Sequence, residues 1–193
     1  MKRLFDIVCS LFGLTILCPL FVIVALWIVL DSPGGVFYRQ IRVGRYGKDF
    51  RIFKFRSMFT DSDRRGLITV GDRDPRITRA GYWIRKYKID ELPQLINVLI
   101  GDMSFVGPRP EVRKYVDLYD EQQRHVLDIR PGITDAASIK YRNENEILAT
   151  QADPDRYYVK VIMPDKLRIN LDYINHHSLG RDIRLIFETF LAI

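Results

Sequence analysis

The sequence predicts a mostly α-helical protein with a few short strands, an α+β fold. It places a re-entrant membrane helix at the N-terminus and a membrane-associated cytoplasmic domain with amphipathic helices behind it. Three observations lead to this prediction. No charged residue occurs between Ile7 and Leu30, and helical periodicity dominates the remainder. The net charge of +6 is concentrated in residues 31–90, which hold 15 basic and 7 acidic residues, a surplus of +8.

Length and composition exclude two classes of protein. With 193 residues the chain is long enough to bury a core, and 47% hydrophobic residues exclude a wholly disordered chain. The apolar run is too long for a cleaved signal peptide, and no small-x-small cleavage site follows it. As a helix its 24 residues would reach about 36 Å, enough for the ~30 Å hydrocarbon core. A single membrane span is therefore one interpretation of this segment.

Two features favour a re-entrant helix over a span. Pro19 lies in the middle of the run, where it removes a backbone hydrogen bond, and we expect the helix to break there and return. Basic residues flank both ends, and basic flanks prefer the cytoplasmic side. These flanks are Lys2 and Arg3 before the run, and Arg39, Arg42, Arg45 and Lys48 after it. The predicted division is residues 1–31 for the re-entrant helix and 32–193 for the cytoplasmic domain.

The cytoplasmic domain begins with a turn at residues 31–35. A strand pair is predicted around the Gly44…Gly47 interruption, with its second strand at residues 50–56, because apolar and basic residues alternate there. Residues 60–76 are charged and aperiodic, which is typical of a loop. Helices are predicted at 78–88, at 91–100 with its end at Gly101, and at 110–129, 155–177 and 181–193.

Two segments carry the candidate chemistry. Asp90 and Glu91 follow the basic residues Arg85, Lys86 and Lys88, and Asp90 is placed as the N-cap of the 91–100 helix. The N-terminus of a helix suits a phosphate, although capping and surface ion pairs explain the same residues. Arg109 lies between two prolines that stiffen its backbone, and arginine suits bidentate binding of phosphate. The three histidines, His125, His176 and His177, lack the spacing of metal ligands.

Six collinear motifs give the chain a specific resemblance. It resembles the bacterial sugar transferases, the monotopic phosphoglycosyl transferases, along essentially its full length, and it looks like their small single-module form. The motifs are Lys2-Arg3-Leu4-Phe5-Asp6, Phe53-Lys54-Phe55-Arg56-Ser57-Met58, Asp90-Glu91-Leu92-Pro93-Gln94, Val106-Gly107-Pro108-Arg109-Pro110, Arg130-Pro131-Gly132-Ile133-Thr134 and Asp182-Ile183.

The resemblance implies an activity for residues 32–193 as a catalytic domain. Members of this family transfer a sugar 1-phosphate from a UDP-sugar to polyprenol phosphate and release UMP. They act at the cytoplasmic face of the bacterial inner membrane, in the first membrane step of capsule, O-antigen, exopolysaccharide or glycoprotein glycan synthesis. By this similarity Asp90 is the nucleophile that forms an aspartyl-phosphosugar intermediate. Glu91 is its partner, as a metal ligand or as an acid/base, and Mg²⁺ is the cofactor, with Asp90 and Glu91 as its candidate ligands.

Several further residues are candidates for binding substrate phosphate or nucleotide. They are Lys54, Arg56, Arg85, Arg109, Arg142 and Asp172. Residues 135–143 depart from the family pattern and keep only Ala137, Arg142 and Asn143 of it, which puts the sugar or base contacts of that loop in doubt. The sequence assigns no role to the acidic stretch at 144–155. The sequence alone names neither the sugar, the pathway nor the oligomeric state, so a homo-oligomer stays open.

A different class of function is also compatible with the charge layout. A non-enzymatic membrane-tethered module would use the basic region at 31–90 to bind anionic lipid or nucleic acid. Nucleic acid is the weaker half of this alternative, because the basic residues adjoin the membrane segment. The partners expected from the resemblance are a UDP-sugar, polyprenol phosphate and membrane lipids, without nucleic acid.

Overall fold

The computed structural model describes residues 2–60, 62 and 74–192, with mostly helices and a few short strands in that part of the chain. The predicted fold class is therefore confirmed. The predicted loop at 60–76 lies largely outside the described residues. The helices are α1 Lys2–Asp31, α2 Arg79–Lys86, α3 Gln94–Ile100, α4 Arg113–Val116, α5 Glu121–Arg124, α6 Ala136–Lys140, α7 Glu144–Ala149, α8 Pro154–Tyr157, α9 Met163–Asn175 and α10 Leu179–Ala192. The strands are β1 Phe37–Val43, β2 Asp49–Phe55, β3 Ser104–Val106 and β4 Gly132–Thr134.

The N-terminal helix α1 is continuous, and Pro19 lies inside it. The break expected at Pro19 is therefore wrong as a statement about secondary structure. A proline removes one backbone hydrogen bond, and the intact turns on either side are enough to keep the helix. By length and composition α1 could cross a membrane, and most of its apolar surface is not covered by the protein.

One face of α1 lies against the rest of the protein near both ends of the helix. Its buried residues are Asp6, Ser10, Val24 and Ile28. Asp6 and Val24 are 18 residues apart, as are Ser10 and Ile28, which corresponds to five full helical turns and therefore to the same face. The remaining faces expose apolar side chains such as Phe12, Ile16 and Ile23. Most of the surface of α1 is therefore apolar and exposed, and one face, polar near the start of the helix and apolar near its end, is covered by the protein.

Polar contacts hold both ends of α1 to the same domain. At the start, Lys2 Nζ donates to the carbonyl of Val106 at 2.9 Å and pairs with Asp182 in α10. The Asp6 carboxylate accepts hydrogen bonds from Ser104 Oγ and the Phe105 N–H at 3.1 and 3.2 Å. The two termini of the chain are therefore joined through one ion pair.

The other end of α1 is fixed by backbone and side-chain contacts. The Asp31 carboxylate accepts a hydrogen bond from the Ala80 N–H at 3.0 Å. The Arg56 guanidinium donates to the carbonyls of Pro33 and Ser32, the latter at 2.8 Å. The basic residues at both ends thus satisfy backbone and carboxylate groups of the protein itself.

The strands form two small sheets, and residues of the β1–β2 sheet line an open pocket. β1 and β2 are antiparallel, with Tyr38 opposite Lys54 and Arg42 opposite Phe50, which confirms the predicted strand pair. β3 and β4 are parallel, with Val106 opposite Thr134. α2 packs between α1 and β2, where Ala80 and Ile84 share a core with Val24, Ile28 and Phe55.

The C-terminal half has its own core, built around α9. Its buried residues include Val43, Val112, Val116, Val126, Leu148, Ile162 and Leu167. The acidic stretch at 144–155, unexplained from sequence, becomes α7, a short turn and the start of α8 in this core. Asp153 caps α8, and Asp155 pairs with Lys114 at 2.9 Å and accepts a hydrogen bond from Tyr115 at 2.7 Å. The stretch therefore serves in part to hold α8 to the domain.

Candidate functional site

An open pocket of about 450 Å³ lies between the hairpin β1–β2, the 109–115 segment and the helices α7 and α9. Its volume is within the range of small-molecule sites. Seven of its lining residues are basic and three are acidic, a surplus that suits an anionic ligand. The basic residues are Arg42, Lys54, Arg56, Arg76, Arg85, Arg109 and Lys166, and the acidic ones are Asp90, Glu111 and Glu144.

Asp90 reaches this pocket from a tight turn between α2 and α3. The turn begins at Lys88, whose φ of 55° is left-handed, and continues as a 3₁₀ helix over Ile89–Glu91. Pro93, with φ of −63°, is the N-cap of α3. The prediction that Asp90 caps the helix is therefore wrong, because the chain completes a separate 3₁₀ turn before α3 begins. The turn instead frees the Asp90 side chain to line the pocket.

The Asp90 carboxylate is buried and lacks a hydrogen-bond donor among the residues that the structure describes. Asp90 is only 6% exposed, which is unusual for an ionisable residue whose side chain has no direct partner. Burial raises the pKa of the Asp90 carboxyl, Lys54 opposes this rise, and Glu91 adds to it. Arg85, on the last turn of α2, also favours the charged form of Asp90.

Glu91 has the opposite environment although it is the next residue. Its carboxylate accepts a hydrogen bond from Lys54 Nζ at 2.7 Å and binds the Arg109 guanidinium through both oxygens. Burial by itself would raise the pKa of Glu91, but Arg109 and Lys54 outweigh it and hold that pKa well below its ordinary value. Glu91 is therefore a charged residue that fixes two cations beside Asp90.

Lys54 and Arg109, the two cations bound to Glu91, lie on different segments of the chain. Lys54 lies near the end of β2, and burial lowers the pKa of its ammonium group, an effect that Glu91 partly offsets. Arg109 follows β3 in the Gly-Pro-Arg-Pro segment, and its backbone N–H donates to Asp135 at 3.0 Å. A side chain at Gly107 would bring its Cβ within 2.4 Å of the Arg130 carbonyl oxygen. Glycine there allows the segments at 107–109 and 130–135 to lie in direct backbone contact.

The structure brings most of the predicted site residues together. Lys54, Arg56, Arg85, Asp90 and Arg109 line the pocket, and Glu91 binds two of them. The guanidinium of Arg56 is directed to the carbonyls at the end of α1, so this residue also positions the membrane helix.

Two predicted site residues lie outside the pocket. Arg142 is exposed in the turn between α6 and α7. Asp172 is exposed on α9, where it pairs with Arg181 at 2.8 Å and with His176 at 3.2 Å. In this structure both are therefore apart from the Asp90 and Glu91 pair.

Sequence reasoning also missed residues that line the pocket far from Asp90 in the chain. They include Arg42, Glu111, Glu144, Asn145, Tyr158 and Lys166. The position of Glu111 directly after the Gly-Pro-Arg-Pro segment was a usable signal. The others come from strands and helices that only the packing of the domain brings to the pocket.

The site can be tested for its fit to Mg²⁺, the cofactor expected from the family resemblance. Magnesium is usually held by one or two carboxylates together with substrate phosphates. Asp90 fits this pattern, because its carboxylate lines the pocket and no described residue donates a hydrogen bond to it. At Glu91 a metal ion would have to displace a cation that is already bound. Within the described ranges no group of three or more His, Cys, Asp or Glu side chains forms a closed metal site.

Comparison with known proteins gives a consistent result. A family described as "Bacterial sugar transferase" matches residues 1–193. The chain is 40% identical over 197 residues to the UDP-N-acetylgalactosamine-undecaprenyl-phosphate N-acetylgalactosaminephosphotransferase of Aeromonas hydrophila, covering 100% of this chain and 43% of that protein. It is 40% identical over 205 residues to the exopolysaccharide production protein PSS of Rhizobium leguminosarum bv. phaseoli, covering 100% and 94%. It is 42% identical over 196 residues to the undecaprenyl-phosphate glucose phosphotransferase of Komagataeibacter xylinus, covering 97% and 35%.

The match extends over the membrane helix, the hairpin and the residues of the pocket alike. The chain spans less than half of two of these three relatives and most of the third. On the extent of the family match and the identity to these relatives, this chain belongs to the bacterial sugar transferase family.

Proposed function

We propose that this protein transfers a sugar 1-phosphate from a UDP-sugar to polyprenol phosphate, with release of UMP. The observation that carries the proposal is Asp90, a buried carboxylate that lines a cation-rich pocket beside the Glu91–Lys54–Arg109 ion pairs. A carboxylate in such a place can act as a nucleophile, since the cations stabilise the charge of a phosphoryl group under attack. The names of the Aeromonas and Komagataeibacter relatives support undecaprenyl phosphate as the acceptor.

The first step forms a covalent intermediate on Asp90. A carboxylate oxygen attacks the β-phosphorus of the UDP-sugar, and the bond from that phosphorus to the bridging oxygen breaks. The bridging oxygen leaves with UMP, and the sugar 1-phosphate stays on Asp90 as an acyl phosphate. Lys54 and Arg109 lie beside the Asp90 turn, where they neutralise negative charge on the phosphoryl oxygens.

The second step regenerates the enzyme. A phosphate oxygen of polyprenol phosphate attacks the same phosphorus, the bond to Asp90 breaks, and polyprenol-diphosphate-sugar is formed. Asp90 returns to its carboxylate form without loss or gain of atoms. Glu91 keeps the two cations in place through both steps, because its pKa lies well below neutral pH.

The placement of α1 supports a monotopic attachment at the cytoplasmic face of the inner membrane. Both ends of α1 contact the same domain, through Lys2 and Asp6 at one end and Asp31 at the other. A helix that crossed the bilayer would have to carry part of this charged domain through the hydrocarbon core. We infer that α1 lies within one leaflet with both of its ends on the same side, which keeps the pocket at the surface where a soluble donor meets a lipid acceptor.

Mg²⁺ is included in the proposal as a cofactor that Asp90 would hold together with the donor diphosphate, since Lys54 and Arg109 already bind the Glu91 carboxylate. When bound, it would supply charge neutralisation at the phosphates.

The direct test is release of UMP from detergent-solubilised protein supplied with a panel of UDP-sugars, Mg²⁺ and undecaprenyl phosphate. The proposal expects UMP with at least one donor, in at most one equivalent per enzyme without undecaprenyl phosphate and in excess over the enzyme only when undecaprenyl phosphate is present. A complete absence of UMP with every donor would support the non-enzymatic alternative, a basic module tethered to the membrane.

The nucleophile has a sharper test. With a donor labelled with ³²P at the β-phosphate, wild-type protein should retain label, and Asp90→Asn should retain none because an amide does not attack phosphorus. Asp117→Asn, an exposed residue after α4, is the matched control and should label like wild type. Label that survives in Asp90→Asn would place the nucleophile elsewhere.

A further inference from the structure

The pocket continues beyond the Asp90 turn to a second wall of different chemistry. This wall consists of Glu111, Glu144 and Asn145, and we refer to it as the acceptor wall. Glu111 follows the Gly-Pro-Arg-Pro segment. Glu144 and Asn145 are the first two residues of α7. None of the three has a place in the transfer steps described above.

Glu111 is held in place by several contacts, but its carboxylate can accept further hydrogen bonds. Its Oε1 accepts the hydroxyl of Tyr158, and its Oε2 accepts the Val112 N–H at 3.3 Å. Arg42 lies 3.8 Å away and balances its charge. A carboxylate has about four lone pairs, so Glu111 retains acceptor capacity towards the pocket.

The start of α7 offers the same chemistry. Glu144 pairs with Lys166 at 2.8 Å. No described residue donates to or accepts from the Asn145 amide, which is half-buried and lines the pocket. The acceptor wall therefore combines two neutralised carboxylates with one amide that is available for both donating and accepting.

We propose that the acceptor wall binds the hydroxyl groups of the sugar in the UDP-sugar donor and so contributes to the choice of sugar. This assignment rests on the proposed function. Sugar hydroxyls donate to carboxylates and amides, whereas a diphosphate is attracted to the cations at the Asp90 end, where Lys54, Arg85 and Arg109 line the pocket. A uracil base would prefer an open aromatic face, but Tyr115 and Tyr158 are each 4% exposed and pack on one another at 4.9 Å.

The spacing along the chain agrees with this arrangement. Arg109 binds Glu91 at the reacting end, and Glu111 follows two residues later, at most about 7 Å away along the chain. A hexose bonded to the β-phosphate has its far hydroxyls at a comparable distance from the phosphorus. The names of the Aeromonas and Komagataeibacter relatives specify different sugars, N-acetylgalactosamine and glucose, so sugar choice varies among proteins similar to this chain.

The test separates sugar binding from nucleotide binding. Asn145→Ala removes no hydrogen bond within the described residues, and Glu111→Gln keeps an acceptor for Tyr158, so both variants should fold. We expect Glu111→Gln to lower kcat/KM for the preferred UDP-sugar about tenfold or more, and Asn145→Ala about threefold or more, from the loss of hydrogen bonds. Inhibition by UDP, which lacks the sugar, should change less than twofold. Glu146→Gln, exposed on α7, is the matched control and should leave both values unchanged.

Deoxy analogues of the donor sharpen the result. An analogue that lacks the contacted hydroxyl should lose rate with wild type and lose no further rate with the variant. A parallel loss of UDP inhibition would assign the wall to the nucleotide, and unchanged kcat/KM in both variants would also overturn the assignment. In either case wild type still releases UMP. An absence of UMP from wild type with every donor overturns the proposed function itself.

Discussion

Asp90 and Glu91 are neighbours in the chain with opposite electrostatic surroundings. Glu91 is bound by Lys54 and Arg109, whereas no described residue donates a hydrogen bond to Asp90. The difference arises because successive residues of a 3₁₀ turn point about 120° apart, so each carboxylate meets a different part of the pocket. One residue is therefore suited to hold cations and the other to react.

The unpartnered state of Asp90 predicts a stability gain on its removal. Burial raises the pKa of the Asp90 carboxyl above its ordinary value of 3.8, so its charged form is less favourable in the folded than in the unfolded chain. Stability attributable to this group is therefore lost as pH rises through the folded pKa. We expect Asp90→Asn to melt at a higher temperature than wild type at pH 7, although the proposed mechanism predicts that it is inactive.

The pH dependence checks this sign. The difference in melting temperature between Asp90→Asn and wild type should shrink as pH falls and vanish below about pH 3.8, where both folded and unfolded Asp90 are protonated. Thermal unfolding in detergent between pH 4 and pH 8 measures it. A variant that is less stable than wild type at pH 7 would mean that the Asp90 carboxylate has a favourable partner.

Helix α2 illustrates how one element positions another. It carries Arg85 towards the pocket on one side and packs Ala80 and Ile84 against α1 on the other. The close approach of α2 to the segment that follows β2 depends on Gly81, where a Cβ would lie 1.9 Å from the carbonyl oxygen of Ser57. That carbonyl is also the acceptor for the Thr78 N–H at 3.1 Å, so it cannot move away freely.

Gly81→Ala should therefore destabilise the protein by about 2–3 kcal/mol, although alanine is the better helix former. Displacement of α2 would also move Arg85, so we expect a loss of UMP release at temperatures where the variant is still folded. Thermal unfolding and the UMP assay measure the two effects.

Gly180→Ala in α10 is the matched control, since a Cβ there meets no atom within 4 Å. It should raise stability by up to about 1 kcal/mol. Equal effects of the two substitutions would show that the contact with Ser57 is not the cause.

At the scale of the whole molecule, α1 is a candidate membrane helix that also contacts three other elements of the fold. Lys2 joins it to α10, Asp6 to β3 and Asp31 to α2. Its covered face is polar near the start and apolar near the end, while its other faces expose large apolar side chains. The exposed apolar surface of α1 and the pocket therefore belong to one structure that the contacts of α1 hold together.

This arrangement predicts that both ends of α1 lie on the same side of the membrane. With Cys9 and Cys18 replaced by serine, a cysteine added before Met1 and one introduced as Lys48→Cys should react with a membrane-impermeant maleimide only in inverted vesicles. Gln122→Cys, exposed on α5, marks the side of the domain. Reaction of the N-terminal cysteine in intact spheroplasts would establish a membrane span instead.

Several features of the fold and the site could be predicted from local sequence. The apolar run without charges predicted α1, alternation predicted β2, and periodicity predicted α3 with its end at Gly101. These predictions succeeded because helix and strand periods are set by the backbone and by which side chains must be buried. The order of the motifs also identified the family, which the comparisons confirmed.

Other features were decided only by tertiary structure. The separate 3₁₀ turn at Asp90, the placement of Arg142 and Asp172 outside the pocket, and the acceptor wall all depend on how distant segments pack together. The sequence by itself determined which residue types were available for phosphate chemistry and where the membrane segment lies. The tertiary structure decided which of those charges meet, because ion pairing and burial depend on distances that no local pattern encodes.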